Sequence, residues 1–327
     1  MFDQSSVEIT RLTWNILEYQ GDAVVLGIHY KQTYHLQALK ETVATTLGFS
    51  NLRSTSAQLH GIIRSCSPCG ITFEYGPTNS YGQATGRTEI PGPVHKPVSV
   101  QLTGLTPGTT YHYRIKVENE EGTRYGMDRM VRTYSDQTVT YADNNVYFTT
   151  VIRGQTWMAE NLRTTKYRDG TSIPKVTENE AWEVLVTPAF CWSDNDSAAY
   201  STEGAIYNWY TVSTGKLCPA GWHVPSASEW SVLFSSVAGR EVGLTEGEYE
   251  YYNDFLLNSW VNQTGFSADM ARMRDAEGYF GANGFSYFWT CSESAGDEAG
   301  FAMMYFDYTG QNQGSKRSGY QVRCLKD

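Results

Sequence analysis

Charge, proline and long apolar runs are all scarce in this sequence. Only 18% of the 327 residues are charged, and 35 acids against 25 bases leave a formal charge of −10. No basic run of useful length occurs, which argues against nucleic acid or an anionic membrane surface as a partner. No apolar stretch approaches the ~20 residues of a membrane-spanning helix, so no membrane span is expected. The start, MFDQSSVEITRLTW, lacks a basic segment followed by an apolar one, and no signal peptide is expected there. Catalytic signatures are missing too: there is no Gly-x-Ser-x-Gly, His-Glu-x-x-His, Gly-x-Gly-x-x-Gly or Walker pattern. Of the six histidines only His223 lies in the C-terminal part. A lone His between Trp222 and Val224, just ahead of a helix, reads as a packed residue rather than a base. An enzyme is therefore not expected.

The six cysteines are Cys66, Cys69, Cys191, Cys218, Cys291 and Cys324. Cys66 and Cys69 form a single Cys-x-x-Cys in a turn. A zinc site would need a second pair or nearby His, and a redox motif would need a following helix, whereas GITFEY reads as strand. The other four could form disulfides. Spacing does not fix their connectivity, and Cys218–Cys324 is the favoured pair.

Aromatic residues and glycine are abundant: 23 Tyr, 9 Trp and 30 Gly favour β-rich, turn-rich domains. The expected fold class is mainly β with a few helices. Residues 1–40 hold two strand-like runs, SVEITRLTW and DAVVLGIHYK, which cannot bury a core alone. They are expected to anchor the chain or to oligomerise it. Residues 41–134 read as a β-sandwich of about seven strands, short alternating runs separated by Gly, Pro and Asn turns. In LTGLTPGTTYHYRIKVEN, Tyr111, Tyr113, Ile115 and Val117 share one face of a half-buried strand. This stretch resembles the fibronectin type III pattern, in which Tyr111 would form the tyrosine corner. ITFEYGPTNSYG is similar to domains of that family in bacterial surface and phage proteins. No Arg-Gly-Asp triplet is present, and such a domain is expected to act as a spacer.

From about residue 138 the composition shifts toward Trp, Asn, Gly and Ser, and two helices are predicted. TENEAWEVL (177–185) has Thr177 as its expected N-cap and Glu180 at N3. In the second, Ser226-Ala-Ser-Glu229 is a capping box directly after Pro225. Trp230, Leu233, Phe234 and Val237 follow on one face, and Gly239 sits where a helix stop belongs. Glu229 thus has a structural task, and Trp222 is expected to anchor the preceding turn in the core.

Residues 138–327 closely resemble the family named for the Fibrobacter succinogenes major paralogous domain. The resemblance is carried by GQTWMAENLRTTKYRDGTSIP (154–174), TPAFCWSDND (187–196), GAIYNWYTVSTGKLCPAGWHVPSASEW (204–230) and GYQVRCLKD (319–327). It implies a C-type-lectin-like fold and surface or secreted proteins of gut-type Bacteroidetes and their phages, for most of which no chemistry is established. HVPSASEW looks like the helix entry of formylglycine-generating-enzyme-like proteins. Those need a close cysteine pair near the C-terminus, and Cys291 and Cys324 stand too far apart to match.

The fold implied by the resemblance displays the segment before the last strand, residues 285–324, as a binding face. Candidate ligand-binding residues there are Tyr287, Trp289, Glu293, Asp297, Tyr305, Asp307, Tyr308, Asn312, Lys316 and Arg317. Alternation in GFAMMYFDY sets Phe301, Met303 and Tyr305 on one face and Met304, Phe306 and Tyr308 on the other, one set core and one partly exposed. If Tyr287, Trp289 and Tyr308 are exposed together, recognition is favoured; if they are buried, structural decoration gains. In some phages and bacteria such proteins are diversified at this position, and the Asn/Ser/Tyr/Asp-rich stretch is compatible with that. Asp194, Asn195 and Asp196 are hard oxygen ligands suited to calcium, but EF-hand spacing is absent, and any sugar is expected to bind without calcium. No other cofactor is expected.

The expected function is a non-catalytic display protein, a phage fibre or receptor-binding protein located on the virion surface. Its head would bind a bacterial surface glycan or protein, and its N-terminal segment other virion or surface-assembly proteins or further copies of itself. A Bacteroidetes cell-surface adhesin or lipoprotein, and a purely structural decoration protein, are the alternatives.

Overall fold

The computed structural model describes residues 42–236, 264–266, 268, 272–281, 285–305 and 308–327, with the backbone of four short strands nearer the N-terminus. By its contacts the chain divides into two compact units. Residues 1–47, 59–101 and 112–129 form the first, and residues 48–58, 102–111 and 130–327 the second. The expected class, mainly β with a few helices, holds for the described residues.

The four short strands make two antiparallel hairpins, β1 (Arg11–Thr13) with β2 (Ile16–Glu18) and β3 (Ala23–Val25) with β4 (Ile28–Tyr30). Of the alternating run expected from Val7 to Trp14, residues 11–13 are described and form β1, and the rest lies outside the described residues. Sandwich strands follow: β5 (Val43–Ser50), β6 (Ser56–Ser65), β7 (Cys69–Gly76), β8 (Gln83–Ala84), β9 (Thr88–Ile90), β10 (Val94–Thr103), β11 (Thr110–Asn119), β12 (Gly122–Tyr125) and β13 (Arg129–Arg132). One sheet has the order β10-β6-β5 and the other β12-β11-β7-β8, with β13 on β11 and β9 on β7. The sheets pack face to face: a Cβ on Gly61 of β6 would stand 2.9 Å from the Ile115 side chain of β11. Tyr113, Ile115 and Val117 are buried as the alternation predicts. Tyr111 is buried as well, and its phenol oxygen accepts the Thr106 backbone N–H at 2.9 Å, the expected tyrosine corner.

The second unit continues with β14 (Thr138–Thr140), β15 (Val146–Ile152), β16 (Gln155–Met158), helix α1 (Asn179–Glu183), β17 (Phe190–Cys191), α2 (Ser197–Tyr200), β18 (Ile206–Asn208), α3 (Trp209–Val212), β19 (Trp222–His223) and α4 (Ala227–Ser235). After these come β20 (Met273–Arg274), β21 (Phe280–Gly281), β22 (Ser286–Glu293), β23 (Glu298–Tyr305), β24 (Tyr308–Ser315), β25 (Gly319–Tyr320) and β26 (Leu325–Lys326). They form sheets β14-β15-β16-β26-β19, β17-β18-β25-β20-β21 and β22-β23-β24.

Helix α4 starts as predicted, with Ser226 as N-cap and both arms of the capping box to Glu229 in place, and it buries Trp230 and Leu233. Val237 and Gly239 lie outside the described residues. Helix α1 begins later than predicted: its N-cap is Glu178, without a side-chain cap bond. The Thr177 carbonyl is taken instead by the buried Arg274, whose Nη2 donates to it at 2.7 Å. The short α2 and α3 were not expected. Each has its own side-chain cap, Asp196 on the amides of Ala198 and Ala199, and Asn208 on Thr211.

Two aromatic cores flank the β22–β23 hairpin. Tyr287, Trp289 and Phe301 join Trp209, Trp222 and Tyr320 in one, while Phe288, Ala302 and Met304 join Trp157, Trp230 and Phe266 in the other. Trp222 therefore anchors its turn as expected. Cys218 and Cys324 lie in the first core and form the favoured disulfide, spanning 106 residues of sequence. Cys69, Cys191 and Cys291 keep free thiols, and Cys66 is exposed. Among the described residues no helix is long and apolar enough to cross a membrane.

A charged rim at one end of a buried hairpin

Alternation sends neighbouring side chains of β22 and β23 into opposite cores, so little of either strand is left for display. Trp289 is 0% exposed, lies 4.5 Å from Tyr320 ring to ring, and donates its indole N–H to the Tyr207 carbonyl at 2.7 Å. Tyr287 is buried against Tyr320 at 5.2 Å. Both leave the candidate recognition set, because they are core residues. The division expected for GFAMMYFDY, one face core and the other partly exposed, is also corrected. Phe301 and Met304 are both buried, since each face of the hairpin has a core of its own. Asp307, Phe306 and the side chain of Tyr305 lie outside the described residues.

Four of the remaining candidates come together. Glu293 ends β22, Asp297 lies in the hairpin turn, and Lys316 and Arg317 form the turn after β24. Lys316 Nζ donates to Glu293 Oε1 and to the Gly296 carbonyl, both at 2.8 Å, and rests 5.1 Å from the Trp209 ring centroid. Asp297 accepts the Tyr210 hydroxyl at 3.0 Å and faces Arg317 Nε at 3.4 Å. Burial and the Asp297 hydrogen bond both raise the Tyr210 pKa, which keeps the phenol protonated as a donor. Arg317 Nη1 donates to the Glu183 carbonyl at 2.6 Å, tying in the end of α1. Just beyond, Val184 and Val186 are 72% and 70% exposed. The rim thus combines internally paired charges with two bare valines. Lys316 is buried and mainly structural, whereas the Asp297 and Arg317 side chains keep 51% and 33% of their surface exposed.

Asn312 and Tyr308 lie further along β24. Asn312, Gln311 and Gln313 are all exposed, and Gln311 Nε2 reaches α4, donating to the Ala227 carbonyl and Ser231 Oγ at 2.9 Å each. Tyr308 is 50% exposed. The condition that would favour recognition, Tyr287, Trp289 and Tyr308 exposed together, is not met. Sequence reasoning missed Tyr210, Gln311 and Gln313. Alternation in YTGQNQGS was the available signal for the glutamines, and none marks Tyr210.

His223 and Glu229 belong to the frame. Glu229 Oε2 accepts the Ser226 backbone N–H and hydroxyl at 2.8 Å each, while Oε1 lies 3.0 Å from His223 Nε2. His223 Nδ1 lies 2.6 Å from Asp327 Oδ1, so both ring nitrogens are engaged.

The calcium candidates are turned to separate tasks. Asp194 pairs with Arg272 at 3.2 Å, Asn195 Nδ2 donates to the Thr177 carbonyl at 3.0 Å, and Asp196 caps α2. They do not converge into the oxygen cage calcium requires, and no group of three or more His, Cys, Asp or Glu among the described residues could hold a metal.

A family model described as the Fibrobacter succinogenes major domain matches residues 151–326, more than half of the chain. The chain belongs to that family. The Fibrobacter succinogenes major domain here contains the disulfide, the rim and all of both aromatic cores but Tyr141 and Tyr147, which lie just ahead of it. No curated protein was found to match the chain. Among solved structures, the sensor domain of the anti-sigma factor RsgI4 from Pseudobacteroides cellulosolvens is 16% identical, with TM-score 0.26 over 32% of this chain and 83% of its own. The third fibronectin III domain of human KIAA0343 protein is 18% identical, with TM-score 0.20 over 30% of this chain and 81% of its own. PhoD is 15% identical, with TM-score 0.23 over 29% of this chain and 20% of its own. At such scores these likenesses say nothing of function.

Proposed function

We propose that this chain is a non-catalytic display protein whose Fibrobacter succinogenes major domain, a C-type-lectin-like head, binds a bacterial surface glycan or protein without calcium. The observation that carries this reading is the rim. Asp297, Arg317 and Tyr210 stand beside exposed Val184 and Val186, at the end of a hairpin fixed on both faces by aromatic packing. A recognition surface needs a rigid mount, apolar contact area and polar groups that set orientation. Asn312, Gln313 and Tyr308 extend the surface along β24 with neutral hydrogen-bonding groups and one exposed ring.

The biological setting we infer is a phage fibre or receptor-binding protein on the virion surface, with a Bacteroidetes surface adhesin as the alternative. The N-terminal segment would contact other assembly proteins or further copies of the chain. Burial of Tyr287 and Trp289 favours a second reading, structural decoration, because this hairpin displays no broad aromatic patch among the described residues.

Binding of the full chain to intact Bacteroidetes cells and to arrays of their surface glycans, with and without EDTA, tests the proposal. Binding that survives EDTA and falls in Arg317→Ala supports it. Binding abolished by EDTA contradicts the calcium-independent mode, and a folded chain that binds no surface supports decoration instead.

A further inference from the structure

The outward face of the β12-β11-β7-β8 sheet carries a stack of aromatic rings on a cation. Arg114 of β11 points outward between the inward Tyr113 and Ile115. Its guanidinium carbon lies 3.8 Å from the Tyr125 ring centroid and 4.6 Å from that of Tyr81. Its Nε and Nη2 reach Glu74 Oε2, the cross-strand neighbour on β7, at 2.8 and 2.7 Å. The guanidinium is therefore held flat, and the rings are held by it.

Tyr81 is positioned at some cost. Its φ of +59° is unusual for a bulky residue, and a Cβ on Gly76 would lie 1.5 Å from the Tyr81 carbonyl oxygen, so only glycine lets the loop fold back here. The Tyr81 hydroxyl donates to Asp128 Oδ1 at 3.0 Å, and Asp128 Oδ2 is 2.7 Å from His112 Nδ1. Burial and this bond push the Tyr81 pKa up to about 12, so the phenol stays a donor. A strained backbone held by surrounding contacts is a reason to look for a function. With one face on the guanidinium, Tyr125 still keeps 47% of its surface exposed, and Met127 is 63% exposed two residues on.

The electrostatics narrow the ligand. Arg114 pairs with Glu74, Lys116 with Glu118, and Arg87 with both Glu118 and Glu89, while Asp128 holds the Tyr81 hydroxyl and lies against His112, so the cations of this face already have carboxylate partners. A cation beneath one face of a ring draws π density toward itself, leaving the outer face a poor seat for a second cation. Carboxylates such as Glu74 and Asp128 can accept further bonds from a ligand rich in hydrogen-bond donors, and the prolines of a proline-rich peptide have no N–H to offer. An apolar C–H face ringed by hydroxyls satisfies both demands.

We propose that Tyr125, backed by Arg114 and Tyr81, is a stacking platform for an uncharged sugar ring, which makes the sandwich a glycan-binding module as well as a spacer. Saturation-transfer NMR on the full chain with neutral gluco-, xylo-, manno- and galacto-oligosaccharides at millimolar concentration tests this. Transfer to the sugar C–H protons is expected, with wild-type shift changes centred on the Tyr125 ring. Tyr125→Ala should weaken binding about tenfold or more, and Tyr125→Phe should hold it within about twofold. The proposal is overturned if none of these sugars receives transfer, or if a sugar binds without moving the Tyr125 resonances. It is equally overturned if affinity is unchanged in a folded Tyr125→Ala chain, or if only a proline-rich peptide competes for the ring.

Discussion

His223 Nε2 lies 3.0 Å from Glu229 Oε1 while His223 Nδ1 lies 2.6 Å from Asp327 Oδ1, so one imidazole joins the start of α4 to the end of β26. Carboxylates accept only, and a neutral imidazole has a single N–H. Both contacts are hydrogen bonds only when the ring is protonated. Burial alone would lower the His223 pKa, but the bonds to Asp327 and Glu229 outweigh it and raise the value above the ordinary 6.5. A raised pKa contributes stability that is fully present below about pH 6.5 and lost as pH rises through the folded value. Glu229 is shifted the opposite way: burial opposes ionisation, and the Ser226 and His223 bonds prevail. Its contribution is present above its ordinary value of 4.5 and lost as pH falls through the folded one. The thermal midpoint of the chain should therefore exceed that of His223→Gln near about pH 6 and converge with it near about pH 9. A pH-independent difference would contradict the clasp.

Trp289 and Tyr308 should separate core from display. Trp289→Ala opens a cavity between β22 and Tyr320, and about 3–5 kcal/mol of stability should be lost. Tyr308→Ala, at an exposed position, should stay within about 0.5 kcal/mol of the parent. Denaturant midpoints of the two variants check this.

Closing a loop of roughly 100 residues lowers the entropy of the unfolded chain enough to stabilise the fold by about 4.7 kcal/mol in the chain-entropy model. Loss of the Cys218–Cys324 bond, which spans 106 residues, should lower stability by that order. The comparison is Cys218→Ser/Cys324→Ser against the parent, with urea unfolding as the readout.

Tyr111→Phe removes the oxygen that accepts the Thr106 N–H. Thr106 is exposed, so its N–H can turn to water and the loss is the net worth of one hydrogen bond, about 0.5–1.5 kcal/mol; the unfolding midpoint of the sandwich should fall accordingly.

Locally encoded features were legible in the sequence. The capping box needs only Ser226 and Glu229, three positions apart, and the tyrosine corner only the turn before Tyr111. What escaped depends on distant partners. Thr177 is a good N-cap by type, yet Arg274, 97 positions on, binds its carbonyl, and the helix starts later. Asp194 to Asp196 have the chemistry of calcium ligands, but Arg272 neutralises Asp194 from 78 positions away. Trp289 sits among polar residues that suggest display. Because the hairpin is buried on both faces, alternation could not tell an outward ring from an inward one. The Tyr81–Arg114–Tyr125 stack joins a loop, a central strand and an edge strand, and no spacing along the chain announces it.

The central claim, calcium-independent recognition by the rim, is tested most directly by one binding isotherm. The parent chain and an Arg317→Ala/Tyr308→Ala double variant are compared on intact Bacteroidetes cells in the presence of EDTA. Saturable binding by the parent, weakened about tenfold or more in a variant that melts like the parent, is the predicted result. Equal binding by the two folded proteins would contradict it.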